Sequence, residues 1–223
     1  MLSQVMGGMD VTGAEERGLV EGLLSAYAGG VFPMAEPEGG GIHWFDPPVR
    51  GVIGLHDGGL RVSRSLRQRV RQGRFEITAN QAFGAVIRAC SRASSREDGC
   101  WIDARIISWY EALHRAGHAH SVEAWRGGEL VGGLYGVSLR GLFAGESMFS
   151  DPDKDGTDAS KVCLVHLWEA LRGAGYAALD CQFWTAHLGR LGCVEIGRAD
   201  YQRLLWAALA RAPRDAFGTR CWT

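Results

Sequence analysis

Residues 118–150, HAHSVEAWRGGELVGGLYGVSLRGLFAGESMFS, constrain the fold more than any other stretch of the chain, because three short segments within them alternate in hydropathy. Successive side chains of a strand point to opposite faces, so this alternation lets one face pack while the other meets solvent or a second layer. The segments 119–125, 130–137 and 142–149 are partly β-branched or aromatic and are separated by turn chemistry. Gly127-Gly128 supplies the positive φ of a tight hairpin, and Arg140-Gly141 marks a second turn. The expectation is a three-stranded antiparallel meander.

The segments after the meander set the topology. Beyond the polar loop DPDKDGTDAS, the residues Val162, Leu164, Val165, Leu167, Trp168 and Leu171 repeat at helical spacing, with a stop expected at Gly173. A strand is expected over 177–182. Strand, helix, strand implies a right-handed crossover, so segments 142–149 and 177–182 should be parallel neighbours. A last Gly-containing segment with a helix completes the element order of an α+β, acetyltransferase-like (GNAT-type) mixed sheet with flanking helices. Upstream, helices are expected over 14–27, 64–72, 83–90 and 106–116, and strands over 51–55 and 75–79. Residues 1–13 should fray. Residues 1–47 are too few for their own core and should form a small N-terminal lobe on a main domain of residues 48–223. In such sheets ligands sit beyond the carboxyl ends of parallel strands, near the start of the crossover helix. That singles out Glu146 and Ser147 on one strand and Asp180 and Gln182 on the other, with Asp180 and Gln182 on one face by alternation and Leu179 and Cys181 on the other.

Composition excludes more than it selects. A formal net charge of -1 gives no global attraction to nucleic acid or membrane, so such affinity must come from a local patch. No apolar run approaches the roughly 20 residues of a membrane span, and the start lacks the charged and apolar regions of a secretion signal, so a cytoplasmic location is expected. The six cysteines show no zinc-type spacing and read as reduced, buried thiols. His118 and His120 share a strand face without a third ligand, and the calcium-like start of the loop at Asp151 has Val162 at its twelfth position, so no metal is expected. The local patch is basic: Arg61, Arg64, Arg67, Arg69, Arg71 and Arg74 lie within fourteen residues that contain no acid. On a helix Arg64, Arg67 and Arg71 share a face while Leu66 and Val70 bury another, which gives either a solvated face or a surface for phosphates. The loop before the crossover helix is acidic where a CoA-dependent enzyme needs a glycine-rich pyrophosphate cradle, so no cofactor is expected.

The segments GGVFPM, WFDPPVRGVI, SRSLR, FEITANQAFGAVIRAC, WID, GHAHSVEAW, ELVGGLYGV, GESMFS, DASK and LDCQF resemble, in order, those of the leucyl/phenylalanyl-tRNA-protein transferases. The resemblance runs from about Tyr27 to Leu205. It implies transfer of leucine or phenylalanine, and methionine less well, from aminoacyl-tRNA to the N-terminal Arg or Lys of proteins, marking them for degradation. It further implies a reaction centre of Glu146, Asp180 and Gln182, with Asp180 orienting the Gln182 amide. Leu134, Met148 and Ser147 would line the pocket for the transferred side chain. Met34, where many members have Trp, and Trp101 would contact the 3′ adenosine. Arg61, Arg64, Arg67, Arg71 and Arg74 would meet the tRNA backbone. The loop at 151–157 is longer and more acidic than the family's. Two other readings of the residues are a CoA-dependent N-acetyltransferase and a non-catalytic RNA-binding module; a branch adding leucine to acidic N-termini is a variant of the main one.

Overall fold

The computed structural model describes residues 13–36, 40–94, 101–218 and 222; the expected frayed start up to residue 12, Cys100 and Cys221 lie outside them. In chain order the elements are α1 (Gly13–Ala28), β1 (Phe32–Ala35), β2 (Ile42–Phe45), β3 (Val49–Gly54), α2 (Arg64–Arg71), β4 (Glu76–Ala79), α3 (Phe83–Ser94), α4 (Ala104–Arg115), β5 (Ala119–Arg126), β6 (Glu129–Leu139), β7 (Leu142–Ser150), α5 (Ala159–Ala174), β8 (Ala178–Asp180), α6 (Ala186–Arg190), β9 (Val194–Gly197) and α7 (Arg198–Leu209). The fold is α+β. A seven-stranded mixed sheet runs in the order β4-β5-β6-β7-β8-β3-β9, and β1 and β2 form a separate hairpin.

The alternating run is the antiparallel meander β5-β6-β7. Its first hairpin turns on Gly127 and Gly128 at φ 57° and 80°, and its second on Arg140 at φ 52°. The α5 crossover returns the chain to β8, which is parallel to β7, as the strand-helix-strand order requires. Among the boundaries that differ from expectation, two lie on the crossover that leads to the site. The helix runs through Gly173 to Ala174 and is closed by Gly175 at φ 94°, because the last buried apolar positions, Leu171 and Ala174, extend past that glycine. The strand expected over 177–182 ends at Asp180, since Gln182 adopts φ 54° and turns the chain out of the sheet.

Packing divides the two sheet faces. On one side α5 buries Val162, Leu164, Leu167 and Leu171 against Val122, Leu134, Phe143 and Leu179. On the other, α3 and α4 cover Tyr135 and Val137 and are joined by Val20, Leu23 and Tyr27 of α1 and by Phe32 and Ala35 of β1. Burying a side chain of this size contributes about 1.5–3 kcal/mol, so the shared apolar layer fixes α1 and β1 against the sheet. It also delivers Tyr27 to the sheet's centre.

Candidate functional site

The site exists because two parallel strands part. β7 and β8 pair at Leu142↔Ala178, Phe143↔Leu179 and Ala144↔Asp180, after which β8 stops while β7 continues to Ser150. The backbone of β7 beyond Ala144 therefore faces a gap rather than a strand. Glu146 lies at that opening. The β6-β7 ladder pairs Tyr135 with Ser147 and Gly136 with Gly145, so Glu146 is the extra residue of a β-bulge, the irregularity that re-aims a side chain. Gly136 is required opposite it: a Cβ there would collide with the Ala144 carbonyl oxygen.

Glu146 is held by groups from three distant parts of the chain. The Tyr27 hydroxyl donates to Oε1 at 2.7 Å, Tyr110 approaches Oε2 at 3.1 Å, and Gln182 Nε2 donates to Oε1 at 2.9 Å. The two tyrosine oxygens are themselves 2.5 Å apart. This makes a triangle with three edges but only two hydroxyl hydrogens. An ionised Glu146 would consume both hydrogens and leave two phenol oxygens in unbridged contact. A protonated one closes the ring: Oε2–H to Tyr110, Tyr110 to Tyr27, and Tyr27 to Oε1. The electrostatics agree, because burial and the nearby Asp180 charge push the Glu146 carboxyl up to about 8 against the pull of the two hydroxyls and Arg50. Burial holds both phenols well above their ordinary range, so both keep their hydroxyl protons.

Asp180 is a different carboxylate. It is 2% exposed and forms an ion pair with Arg50, Nη1 to Oδ2 at 3.2 Å. Its Oδ2 also accepts from Tyr201 at 2.7 Å, and its Oδ1 from the Gln182 backbone N–H at 2.8 Å. Burial raises its pKa while Arg50, Tyr201 and the amide oppose that rise. Arg50 in turn donates to the Gly30 carbonyl and lies 4.2 Å and 4.9 Å from the ring centroids of Tyr201 and Phe32. Asp180 thus fixes the backbone of the Gln182 turn, while the Gln182 amide is fixed by Glu146. That differs from the expected arrangement, in which strand alternation placed the two side chains together: the turn at Gln182, not the pleat, brings its side chain inward.

The gap between β7 and β8 opens into a cavity of about 280 Å³. Leu134, Ser147 and Met148, all expected at the pocket, line it together with Glu146, Leu164, Leu167, Leu179, Cys181 and His187. Its walls are mostly apolar with a few polar groups among them, the usual composition of a small-ligand pocket. Met34 and Trp101 are half-buried near each other, with Ala35 N–H donating to the Trp101 carbonyl at 3.2 Å, but neither lines this cavity. Next to Gln182 in the chain, Phe183 meets Phe32 and Phe45 edge-on at 5.6 Å and 6.4 Å. Phe45 and Phe183 remain exposed.

The arginine run is split by the acidic loop. Arg64, Arg67 and Arg71 are exposed on α2, with Leu66 buried beneath. Arg74 is tied to Asp155 at 2.6 Å, Arg69 to Asp158 at 3.0 Å, and Arg126 also reaches Asp155. Asp155 and Asp158 are therefore matched by cations of the protein itself. Arg61 lines a second, smaller cavity. Tyr27, Tyr110, Arg50 and Tyr201 were not anticipated as site residues. Only the presence of Arg50 in WFDPPVRGVI hinted at one of them, since each reaches the centre through tertiary packing.

The cavity has mostly apolar walls, and the Gln182 amide and Glu146 carboxyl are fixed beside it, a geometry able to hold an apolar group next to polar ones. Sequence comparison identifies the class of enzyme. The profile of the Leucyl/phenylalanyl-tRNA protein transferase family matches residues 54–206, and that of the family's N-terminal domain matches residues 19–48. The chain is 50% identical over 198 residues to the leucyl/phenylalanyl-tRNA–protein transferase of Maricaulis maris, covering 88% of this chain and 86% of that one. It is 48% identical over 188 residues to that of Rhizorhabdus wittichii, covering 84% and 73%. Among solved structures, L-PGS from Bacillus licheniformis matches 76% of this chain and 55% of its own with TM-score 0.42 and 14% identity, a likeness too distant to bear on mechanism. The chain belongs to the leucyl/phenylalanyl-tRNA–protein transferase family. It is an aminoacyl-tRNA–protein transferase of the N-end rule pathway, moving leucine or phenylalanine from tRNA onto protein N-termini. Among the described residues no helix is long and apolar enough to cross a membrane.

Proposed function

We propose that the transfer takes place at the Glu146, Asp180 and Gln182 centre, with the aminoacyl side chain in the cavity lined by Leu134, Ser147 and Met148. The observation that carries this reading is the Gln182 amide, held through Nε2 by Glu146, which itself lines that cavity. With its nitrogen engaged, the amide turns its oxygen away from Glu146, available to accept a hydrogen bond from an incoming amine.

The chemistry asks little more. An aminoacyl ester is already activated, and an α-amine with a pKa of about 7.7–8.0 is roughly one tenth neutral at pH 7. Holding amine and ester in line is therefore the main task. Gln182 orients the amine; an amide oxygen is too weak a base to remove its proton, which passes through solvent to the departing ribose oxygen as the peptide bond forms and the ester C–O bond breaks. Glu146, neutral and locked by two tyrosines, keeps the amide in one orientation. Asp180, through the Gln182 backbone, keeps the turn in place. A side-chain pocket discriminates by about 10 to 200-fold per methylene, enough to favour leucine and phenylalanine and to admit methionine more weakly.

The same reading gives Met34 and Trp101 to the 3′ adenosine and Arg61, Arg64, Arg67 and Arg71 to the tRNA backbone. Arg74 joins them only by leaving Asp155. The acceptor is a protein beginning with Arg or Lys. We take the β5-β6-β7 meander with its α5 crossover to β8 as an acetyltransferase-like (GNAT-type) domain of residues 48–223, and residues 1–47 as its small lobe. The donor is a cytoplasmic RNA, and we place the enzyme with it. Transfer of radiolabelled leucine from leucyl-tRNA to one peptide starting with Arg and one starting with Asp, by wild type and Gln182→Ala, tests the reading. Label on the Arg peptide, cut at least about tenfold in the variant, is expected. Label on the Asp peptide would overturn the acceptor, and equal labelling by both proteins would overturn the site.

A further inference from the structure

A second cavity, about 180 Å³, adjoins the first at α6, where His187 lines both. Its wall is cationic. Arg61, Lys161 and Arg190 converge on it, and Ser63 and Ser65 mark the N-terminus of α2 beside it. The backbone fixes this convergence: Arg61 N–H donates to the Leu191 carbonyl at 2.9 Å, so the loop before α2 and the end of α6 are tied at the residue next to Arg190.

The charge is not balanced from within. Asp158, the one acid of the wall, spends Oδ1 on Lys161 at 2.6 Å and Oδ2 on Arg69 at 3.0 Å. The Arg61 and Arg190 side chains, both exposed, have neither a hydrogen-bond nor an ion-pair partner among the described residues. Two free guanidiniums, a lysine that shares its counter-ion and a helix N-terminus facing one small concavity form a field that selects for an anion. His187 registers the same field: burial and then the neighbouring Lys161 and Arg190 charges hold its pKa below the usual imidazole value. The cavity's size admits a phosphate group.

We propose that the cavity walled by Arg61, Lys161 and Arg190 binds one backbone phosphate of the donor RNA close to its aminoacylated end. The inference rests on the family's reaction and on the first cavity holding the aminoacyl group. Because the two cavities share His187, a donor acylated in one brings only its last few phosphates within reach of the other. Guanidinium forks match phosphate oxygens in pairs, and such contacts position RNA without reading sequence.

The test compares two donors that share the ester but not the phosphates, leucyl-tRNA and leucyl-adenosine, with wild type, Arg61→Ala/Arg190→Ala and Arg61→Lys/Arg190→Lys. The alanine pair is expected to raise KM for leucyl-tRNA at least about tenfold more than KM for leucyl-adenosine, and the lysine pair to restore most of the difference. Equilibrium binding of uncharged tRNA against salt reads the pocket without requiring catalysis: each lost phosphate contact lowers the log–log salt slope by about one, so losing a single shared phosphate should lower it by about one. An unchanged slope, equal KM changes for both donors, or a rise confined to the acceptor peptide's KM would each overturn the proposal. The last would point to an acidic group of the acceptor. Failure of wild type to use either donor would instead strike the reaction assignment, with the salt slope still deciding the pocket.

Discussion

Two carboxyl groups flank Gln182, Asp180 buried and Glu146 half-buried, and their surroundings push them toward opposite states. Asp180 faces a guanidinium, a phenol and a backbone amide, an environment that supplies positive charge and three donors to a carboxylate. Glu146 faces two phenols and the amide of Gln182, which offer hydrogen bonds but no positive charge in contact. The first setting sustains an anion and the second favours a neutral acid, as in other enzymes where environment alone assigns different roles to like groups. One residue joins them: Gln182 gives its backbone N–H to Asp180 and its side chain to Glu146. Position and orientation of the amide are thus controlled separately, one by an ionic cluster and the other by a neutral ring.

The largest expected effect comes from breaking the ionic member. Arg50→Ala leaves Asp180 as an unpaired buried charge, which costs about 3–5 kcal/mol, and a urea or thermal melt should register that loss. Arg50→Ala/Asp180→Asn should recover part of it; a double variant less stable than the sum of the two single ones would remove the ion pair from the account. Next is the neutral member. In Glu146→Gln the new amide donates to Tyr110 and accepts from Tyr27 and Gln182, reproducing the protonated acid, so transfer should fall less than about tenfold. In Glu146→Ala the ring collapses, and a loss of about 100-fold or more is expected, since a misplaced positioning group alone costs that much. Equal losses in the two variants would show that Glu146 acts as an anion.

The pH dependence separates the two states. Transfer should rise toward the amine pKa of about 7.7–8.0 and then fall as Glu146 ionises near its pKa of about 8, giving a bell. Glu146→Gln has no proton to lose there, and its profile should stay flat on the basic side. A falling limb that persists in that variant would assign it to another group. The smallest effect is expected for Tyr27→Phe. Removing its hydroxyl breaks two neutral hydrogen bonds, each worth about 0.5–1.5 kcal/mol of stability. Because that hydroxyl lowers the Glu146 pKa, its loss raises it, and the basic limb should move to higher pH. Movement to lower pH would mean that Tyr27 does not bond the carboxylate.

Much of the scaffold was legible in the sequence because it depends on local rules. Alternation from residue 119 to 149 wrote the meander, glycines with positive φ wrote its first turn, and helical spacing wrote α5. Where local rules failed, packing prevailed: α5 ran on past Gly173 because Ala174 still had a core to meet, and β8 ended early because Gln182 left the sheet. The positions of Glu146, Asp180 and Gln182 followed from the resemblance and from strand order.

Their states did not. Tyr27 and Tyr110 lie 83 residues apart in sequence, and Tyr27 lies 119 from Glu146. Arg50 and Asp180 are separated by 130. Nothing in the spacing of such residues predicts a 2.5 Å contact between two phenols or which acid meets a guanidinium. The arginine run shows the same limit. Composition marked it as basic, but the fold paired Arg69 and Arg74 with the acidic loop and left Arg61 facing a cavity with Arg190. The sequence determined the strands, turns and crossover because backbone geometry and burial act between neighbours in the chain. The tertiary structure decided which carboxyl holds a proton and which cations stay free, because desolvation and charge act through space.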